Sequence, residues 1–110
     1  MAEIITITLN PAIDHTVHLE RFEPGKVNRV DWHHRQAGGK GVNVAALLAA
    51  YGVPCVATGL LGDENPELFE RLCREAGIVD GFIRIPGETR TGIKIIGDTR
   101  TGTTDINFPG

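Results

Sequence analysis

No apolar run in these 110 residues approaches the roughly 20 that a membrane span needs. Positive charge is not in excess either: 11 Lys and Arg stand against 14 Asp and Glu, a formal net charge of −3. Phosphate backbones reward clustered cations, so this balance argues against nucleic acid as the main partner. Cysteine is scarce. Cys55 and Cys73 lie far apart in apolar segments and read as two reduced, buried thiols. The opening Met1-Ala2-Glu3 lacks the charged start and long apolar core of a secretory signal, so the expectation is a cytoplasmic protein. Repeats, low-complexity tracts and linkers are absent, leaving one domain or part of one. Phe108-Pro109-Gly110 closes on a strand-then-turn pattern with no terminal helix, which reads as a fragment of a longer protein.

What is present is an alternation of strand and helix signals. Residues 4–9 form a β-branched run of strand length, ended by Asn10-Pro11, since proline cannot donate to a ladder. That places Asp14 just past the carboxyl end of a strand, where open α/β sheets bind ligands. Residues 16–20 and 27–35 read as a hairpin turning at Pro24-Gly25, with faces too polar for a buried central strand. Residues 42–51 form a helix, apolar nearly all round and expected to be buried, stopped by Gly52 and Pro54. A second core strand spans 53–61. Asn65-Pro66 then reads as cap and first-turn proline of a helix whose apolar stripe is Leu68, Phe69, Leu72, Cys73 and Ala76. Glu67/Arg71 and Glu70/Arg74 are spaced as i,i+4 pairs, and Gly77 ends the helix. Strands follow near 81–85, 90–96 and 103–107. This order predicts an α/β fold with a partly parallel sheet.

The densest chemical signal is Ala37-Gly38-Gly39-Lys40-Gly41-Val42-Asn43. A glycine-rich turn that feeds a helix start presents unpaired amides, and Lys40 adds positive charge, which suits an anionic or polyhydroxyl ligand. It is not a P-loop, because Gly41 rather than Ser or Thr follows Lys40. The dinucleotide fingerprint fails at Val44. A turn kept small for packing alone is the competing explanation. The Asp14 carboxylate can accept hydrogen bonds from two neighbouring sugar hydroxyls, and an Asx turn after Pro11 explains it equally well. Asn43 brings an amide into an otherwise apolar helix and calls for a partner. Arg90 and Lys94 share one strand face about 13 Å apart at ~3.3 Å per residue, and either suits a phosphate. His15, His18, His33 and His34 match no common zinc spacing, so no metal site is expected. No Ser-His-Asp or Cys-His constellation stands out, and no catalytic residue is assigned.

Four motifs in order, Thr8-Leu9-Asn10-Pro11-Ala12-Ile13-Asp14, Gly38-Gly39-Lys40-Gly41-Val42-Asn43-Val44-Ala45, Leu61-Gly62-Asp63 and Thr89-Arg90-Thr91-Gly92-Ile93-Lys94, run across essentially the whole chain. Together they resemble the phosphofructokinase-B group of ribokinase-like carbohydrate kinases, nearest its 1-phosphofructokinase and tagatose-6-phosphate kinase branch. The resemblance implies a mainly parallel sheet flanked by helices and carrying a small β-sheet lid, here truncated. Residues 1–110 would be the amino-terminal part of the kinase domain, with lid strands near 15–36 and 89–97. It implies ATP-dependent phosphorylation of a ketose phosphate on a hydroxymethyl oxygen, with fructose 1-phosphate first and tagatose 6-phosphate or fructose 6-phosphate as alternatives. ATP and Mg2+ would serve the reaction, and a homodimer would form through the lid. By position, Asp14 and Asn43 would bind sugar hydroxyls, Gly38 and Gly39 would line the sugar, Arg90 would hold the substrate's phosphate and Lys40 would help. The family's Gly-Ala-Gly-Asp motif, with its catalytic aspartate, is absent, so this chain alone is expected to supply the sugar half of a site without catalysing transfer. A non-catalytic sugar-phosphate-binding or dimerising module is the alternative. A nucleotide-binding domain is disfavoured by the two failed motifs.

Overall fold

The computed structural model describes residues 4–97 and 102–109, so the readings that rest on Met1-Ala2-Glu3 and Gly110 lie outside the described residues. In chain order the elements are β1 (Ile4–Thr8), β2 (Ala12–Leu19), β3 (Trp32–Gly38), α1 (Lys40–Ala50), β4 (Cys55–Gly62), α2 (Glu67–Ala76), β5 (Val79–Asp80), β6 (Ile83–Ile85), β7 (Arg90–Gly97) and β8 (Thr103–Asn107). They form two four-stranded sheets. In the first, β4 pairs in parallel with β1, β5 and β6. The second has the order β3-β2-β7-β8, antiparallel at both edges and parallel between β2 and β7. The radius of gyration is 16.0 Å, against roughly 13 Å for a compact domain of about this length. The extents are 54 × 32 × 18 Å, so the second sheet projects from the first layer.

Both helices lie on one face of the first sheet. Val42 and Ala45 of α1 and Phe69 and Cys73 of α2 meet Cys55, Ala57 and Leu61 of β4, with Ile78 and Phe82 closing the cluster. Phe69 and Phe82 pack edge to face at 5.8 Å between ring centres. Cys55 and Cys73 are both free and buried, and burial pushes the Cys73 thiol up to about 11, an unreactive protonated group. The opposite face is open. Ile5, Ile7, Leu9, Leu60, Val79 and Ile83 are all exposed there, although a parallel sheet is ordinarily covered on both faces.

Several local expectations change. The helix α1 begins at Lys40, two residues early, because Gly39 takes the cap position with φ +124°. It is not buried all round: Val44, Leu47 and Tyr51 are exposed, because nothing among the described residues covers that side. Asn65 does not cap α2, whose cap position is Pro66. Its side chain instead brackets the backbone of Thr89, donating to the carbonyl at 3.0 Å and accepting the N–H at 2.7 Å, which ties the start of α2 to the strand leading into the second sheet. The hairpin strand β3 starts at Trp32, not Val27, which is fully in solvent. Neither expected i,i+4 pair of α2 forms. Glu70 is drawn off by Arg84, whose guanidinium also makes a bidentate contact with Asp80 at 2.9 and 2.8 Å.

The Arg84 hydrogen bond holds the Asp80 carboxyl below its usual range, with help from the Phe82 N–H and against the opposing effect of burial. A carboxyl depressed in the folded state contributes stability above its unfolded pKa of about 3.9 and loses it as pH falls through the folded value. Asp80→Asn should therefore cost about 1 kcal/mol at pH 7. Urea denaturation should show that difference shrinking as the pH drops below about 4. A gap between variant and parent that persists undiminished in acid would show that Asp80 acts by packing alone.

Candidate functional site

The register of the second sheet builds a polar face row by row. Residues paired across neighbouring strands share a face, as do alternate residues along one strand. The row nearest the first sheet holds Gly38, Ala12 and Arg90. The next holds Gln36, Asp14, Gly92 and Asn107, one from each strand. The outer row holds His34, Thr16, Lys94 and Asp105. Asp14, Thr16, Gln36, Lys94, Asp105 and Asn107 line one cavity of about 170 Å³ on this face. Asp14 is thus the third residue of a strand, not part of a turn beyond one.

Glycine shapes this face. A Cβ at Gly38 would collide with Oδ2 of Asp14, so the carboxylate lies over the bare backbone of the neighbouring strand. Gly39 and Gly41 serve packing. A Cβ on Gly39 would stand 2.6 Å from Thr8 Cγ2, and one on Gly41 would meet Thr8 Oγ1 and lie 2.7 Å from the Ile7 carbonyl oxygen. The packing explanation of the glycine turn is realised at these two positions, while Gly38 makes room for Asp14.

Arg90 opens β7 beside the connection from β1. Its guanidinium makes one long contact, 3.4 Å to the carbonyl of Asn10, and its buried Nε has no partner. The Thr8 hydroxyl, at the end of β1, is likewise buried without one. Arg90 lines a separate hollow of about 200 Å³ with Asn10, Pro11 and Gly62, on the side of the sheet junction. Lys40 is exposed at the first position of α1.

Asn43 and Asp14 line different hollows. Asn43 sits in the second half-turn of α1, is exposed, and lines a groove of about 440 Å³ between β3 and the two helices. The burial cost that singled it out in the sequence therefore does not arise. Gln36 borders both hollows. Sequence reasoning missed Gln36, Asp105 and Asn107. The signal was there in part, because Thr103, Asp105 and Asn107 alternate with Thr104, Ile106 and Phe108, but their placement opposite β7 needed the register.

The other face of the second sheet carries a different set. His15 Nε2 and His33 Nδ1 are 2.9 Å apart. Burial first, then the Arg35 charge and His33, hold the His15 ring below its usual pKa. Back on the Asp14 face, one row beyond Thr16, His18 stacks on Trp32 at 5.1 Å and lies 3.2 Å from the Asp31 carboxylate.

The profile of the pfkB family carbohydrate kinases matches residues 7–110. A 1-phosphofructokinase of Xanthomonas campestris is 50% identical over 108 residues, which cover 98% of this chain and 34% of the relative. A 1-phosphofructokinase of Rhodobacter capsulatus is 49% identical, with 97% of this chain and 34% of the relative covered. The chain spans about a third of the length of these curated relatives. Among solved structures, a Thermotoga maritima protein named a possible 1-phosphofructokinase superposes with a TM-score of 0.85 at 37% identity, covering 99% of this chain and 36% of that one. Phosphofructokinase-2 from Escherichia coli, crystallised with fructose-6-phosphate, gives a TM-score of 0.87 at 23% identity over 100% of this chain and 36% of that one, a likeness of fold. The architecture is that of the ribokinase-like sugar kinases, in part.

The glycine contacts make opposite demands. A methyl at Gly41 meets the fixed backbone of β1, so Gly41→Ala should cost about 1–3 kcal/mol of stability by overpacking. Gly38→Ala meets only a side-chain carboxylate that can swing away, and should cost less than half as much in the same denaturation series. Equal losses would mean that Asp14 is locked in place by the fold.

Proposed function

The chain belongs to the pfkB family of carbohydrate kinases, and from that premise we propose that it supplies the sugar-binding part of an ATP-dependent ketose-phosphate kinase, with fructose 1-phosphate as substrate. The observation that carries this reading is the placement of Asp14 and Arg90 on one face of the second sheet, in adjacent rows. A carboxylate that only accepts hydrogen bonds suits a pair of sugar hydroxyls, and a guanidinium suits a phosphate. The similarity to proteins named 1-phosphofructokinase supports the choice of sugar phosphate.

In this reading the second sheet is the lid. Asp14 accepts hydrogen bonds from two hydroxyls of the sugar and orients it, with the Gly38 and Gly39 backbone beneath. Arg90, whose guanidinium has an unpaired Nε, exchanges its long Asn10 contact for the substrate's phosphate. Lys40 adds charge at the start of α1, and Asn43 holds a further hydroxyl from the groove it shares with Gln36. Closure of such a lid excludes water, which otherwise competes as acceptor.

ATP is the co-substrate and Mg2+ its counter-ion in this reading. Among the described residues no three Asp, Glu, His or Cys side chains gather where they could hold an ion, so these residues do not fit a metal centre. No step of transfer is assigned to them. They bind and orient the acceptor, in keeping with a reaction that depends mainly on positioning and charge. The setting would be the cytoplasm.

The direct test joins this chain to the carboxyl-terminal remainder of the Xanthomonas campestris relative, replacing the matching segment. The chimera should phosphorylate fructose 1-phosphate with ATP. Asp14→Ala should lower kcat/KM about a hundredfold or more, and Arg90→Ala should raise KM about tenfold or more, as expected for lost charge-assisted contacts. A folded chimera that binds ketose phosphates without transferring phosphate would favour the binding-module alternative.

We also propose that the lid joins two copies of the protein. Trp32, at 49% exposure, and Ile106, at 45%, stand on this sheet, and Val27 and Val30 on its connecting loop are exposed as well. Sedimentation of the chimera should give a dimer, and Trp32→Glu should shift it to a monomer. A parent that sediments as a monomer throughout the micromolar range would end that assignment.

A further inference from the structure

Within the row Gln36, Asp14, Gly92 and Asn107, the position without a side chain lies between the two oxygen-bearing groups. A Cβ placed on Gly92 would stand 3.0 Å from Oδ1 of Asn107 and 4.0 Å from Oδ1 of Asp14. The carboxylate and the amide therefore converge on one notch from opposite sides, and the notch exists because residue 92 is glycine. Gly92 does not have a positive φ, so its backbone does not require glycine. The open space does. Neither the Asp14 carboxylate nor the Asn107 amide has a hydrogen-bond partner among the described residues. Gln36, at the end of the row, is already within 3.3 Å of the His34 ring.

We propose that Asn107 is a second hydroxyl-binding residue of the sugar site, acting with Asp14 across the Gly92 notch, and that it sets which ketose phosphate is accepted. This rests on the kinase reading above and extends it to specificity. The two groups differ in what they offer. The carboxylate only accepts, whereas the amide both donates and accepts. Two neighbouring hydroxyls lying in the notch are thus read in a fixed sense, one donating to Asp14 and the next exchanging hydrogen bonds with Asn107. Inverting one carbinol centre turns its hydroxyl away from one of the two groups and leaves that group unpaired under a closed lid. A site built to pair a hydroxyl rejects the analogue that cannot supply it.

The test uses the chimera with the Xanthomonas campestris remainder and two single variants, Asn107→Ala and Gly92→Ala. The first removes the amide and keeps the notch. The second fills the notch and keeps both polar groups, and the new methyl meets only the movable tip of Asn107. Each should raise the KM for fructose 1-phosphate about tenfold while kcat stays within about threefold, the pattern of lost ground-state and transition-state binding in equal measure. The preference for fructose 1-phosphate over its C3 and C4 epimers should narrow about tenfold in Asn107→Ala for one epimer and not the other, because only one centre faces the amide.

Asn107 lies on an exposed edge strand, so melting temperatures should stay close to the parent's. Unchanged KM in both variants, with the parent chimera active, would overturn the assignment and leave the kinase reading standing. A loss of kcat equal for every epimer would overturn it too, since that is the mark of a disturbed lid. A folded parent chimera inactive on every ketose phosphate would instead defeat the kinase reading, and the proposal with it.

Discussion

Thr8, the last residue of β1, is enclosed by three glycines, and the placing of the two sheets depends on that enclosure. Any side chain at Gly59 of the neighbouring strand would strike the Thr8 carbonyl. One at Gly41 would strike its hydroxyl oxygen, and one at Gly39 its methyl. The strand β4, the turn before α1 and the end of β1 can converge only because all three partners lack a Cβ. Four residues later the chain enters β2, whose first residue, Ala12, pairs with Gly38 on the strand that feeds the same turn. The register of the second sheet is therefore anchored at its base. With the period of a strand fixed at two, anchoring the base decides which side chains reach the Asp14 face.

The enclosure has a counterpart on the far side of the first sheet, where nothing among the described residues covers Ile5, Ile7, Leu60 or Val79. Among the described residues β1 is also an edge, hydrogen-bonded to β4 alone. Large apolar side chains on an open face together with a free edge make a surface that invites association. The relatives it matches are about three times longer. The exposed stripe of α1, with Leu47 at 59% exposure, belongs to the same pattern. A helix apolar nearly all round has two sides to bury, and the described residues bury one.

The elements were legible where one residue type decides the local backbone. Gly77 ends α2 with φ +73° and Gly52 follows α1 with the same value, as their positions in the sequence require. The stripe from Leu68 to Ala76 is the core-facing side of α2, because a 3.6-residue period leaves little alternative. Legibility failed where two partners competed for one group. Glu70 is suitably spaced for Arg74, yet Arg84 lies across the turn with a carboxylate already on its other side, and the joint geometry outweighs an exposed helical pair. Asn65 looks like a cap, but the Thr89 backbone offers it two hydrogen bonds where a helix end offers one. The two-residue strand β5 left no periodic trace. Of the groups on the Asp14 face, the sequence singled out Asp14, Gly38 and Arg90. It did not single out Gln36 and Asn107, because cross-strand neighbours become visible only when the register is known.

The charged groups of the molecule fall into two populations, and the difference bears on function. Between α2, β5 and β6 lies a paired set: Arg84 ties Glu70 to Asp80, and the contact moves Asp80 and Arg84 from their ordinary ionisation. Strong perturbation marks a structural tie here, so a search for a site by perturbed pKa alone would settle on Asp80 and Arg84 rather than on the Asp14 face. On the Asp14 face the carboxylates, Lys94 and the Asn107 amide lie close without hydrogen bonds to one another. Groups that are left to water lose little when a ligand replaces that water with contacts of the same kind, whereas an internal pair must first be broken. The sugar-phosphate reading proposed for this face is helped by polar groups kept apart. Gly38 and Gly92 keep them so, by holding open the spaces on either side of Asp14.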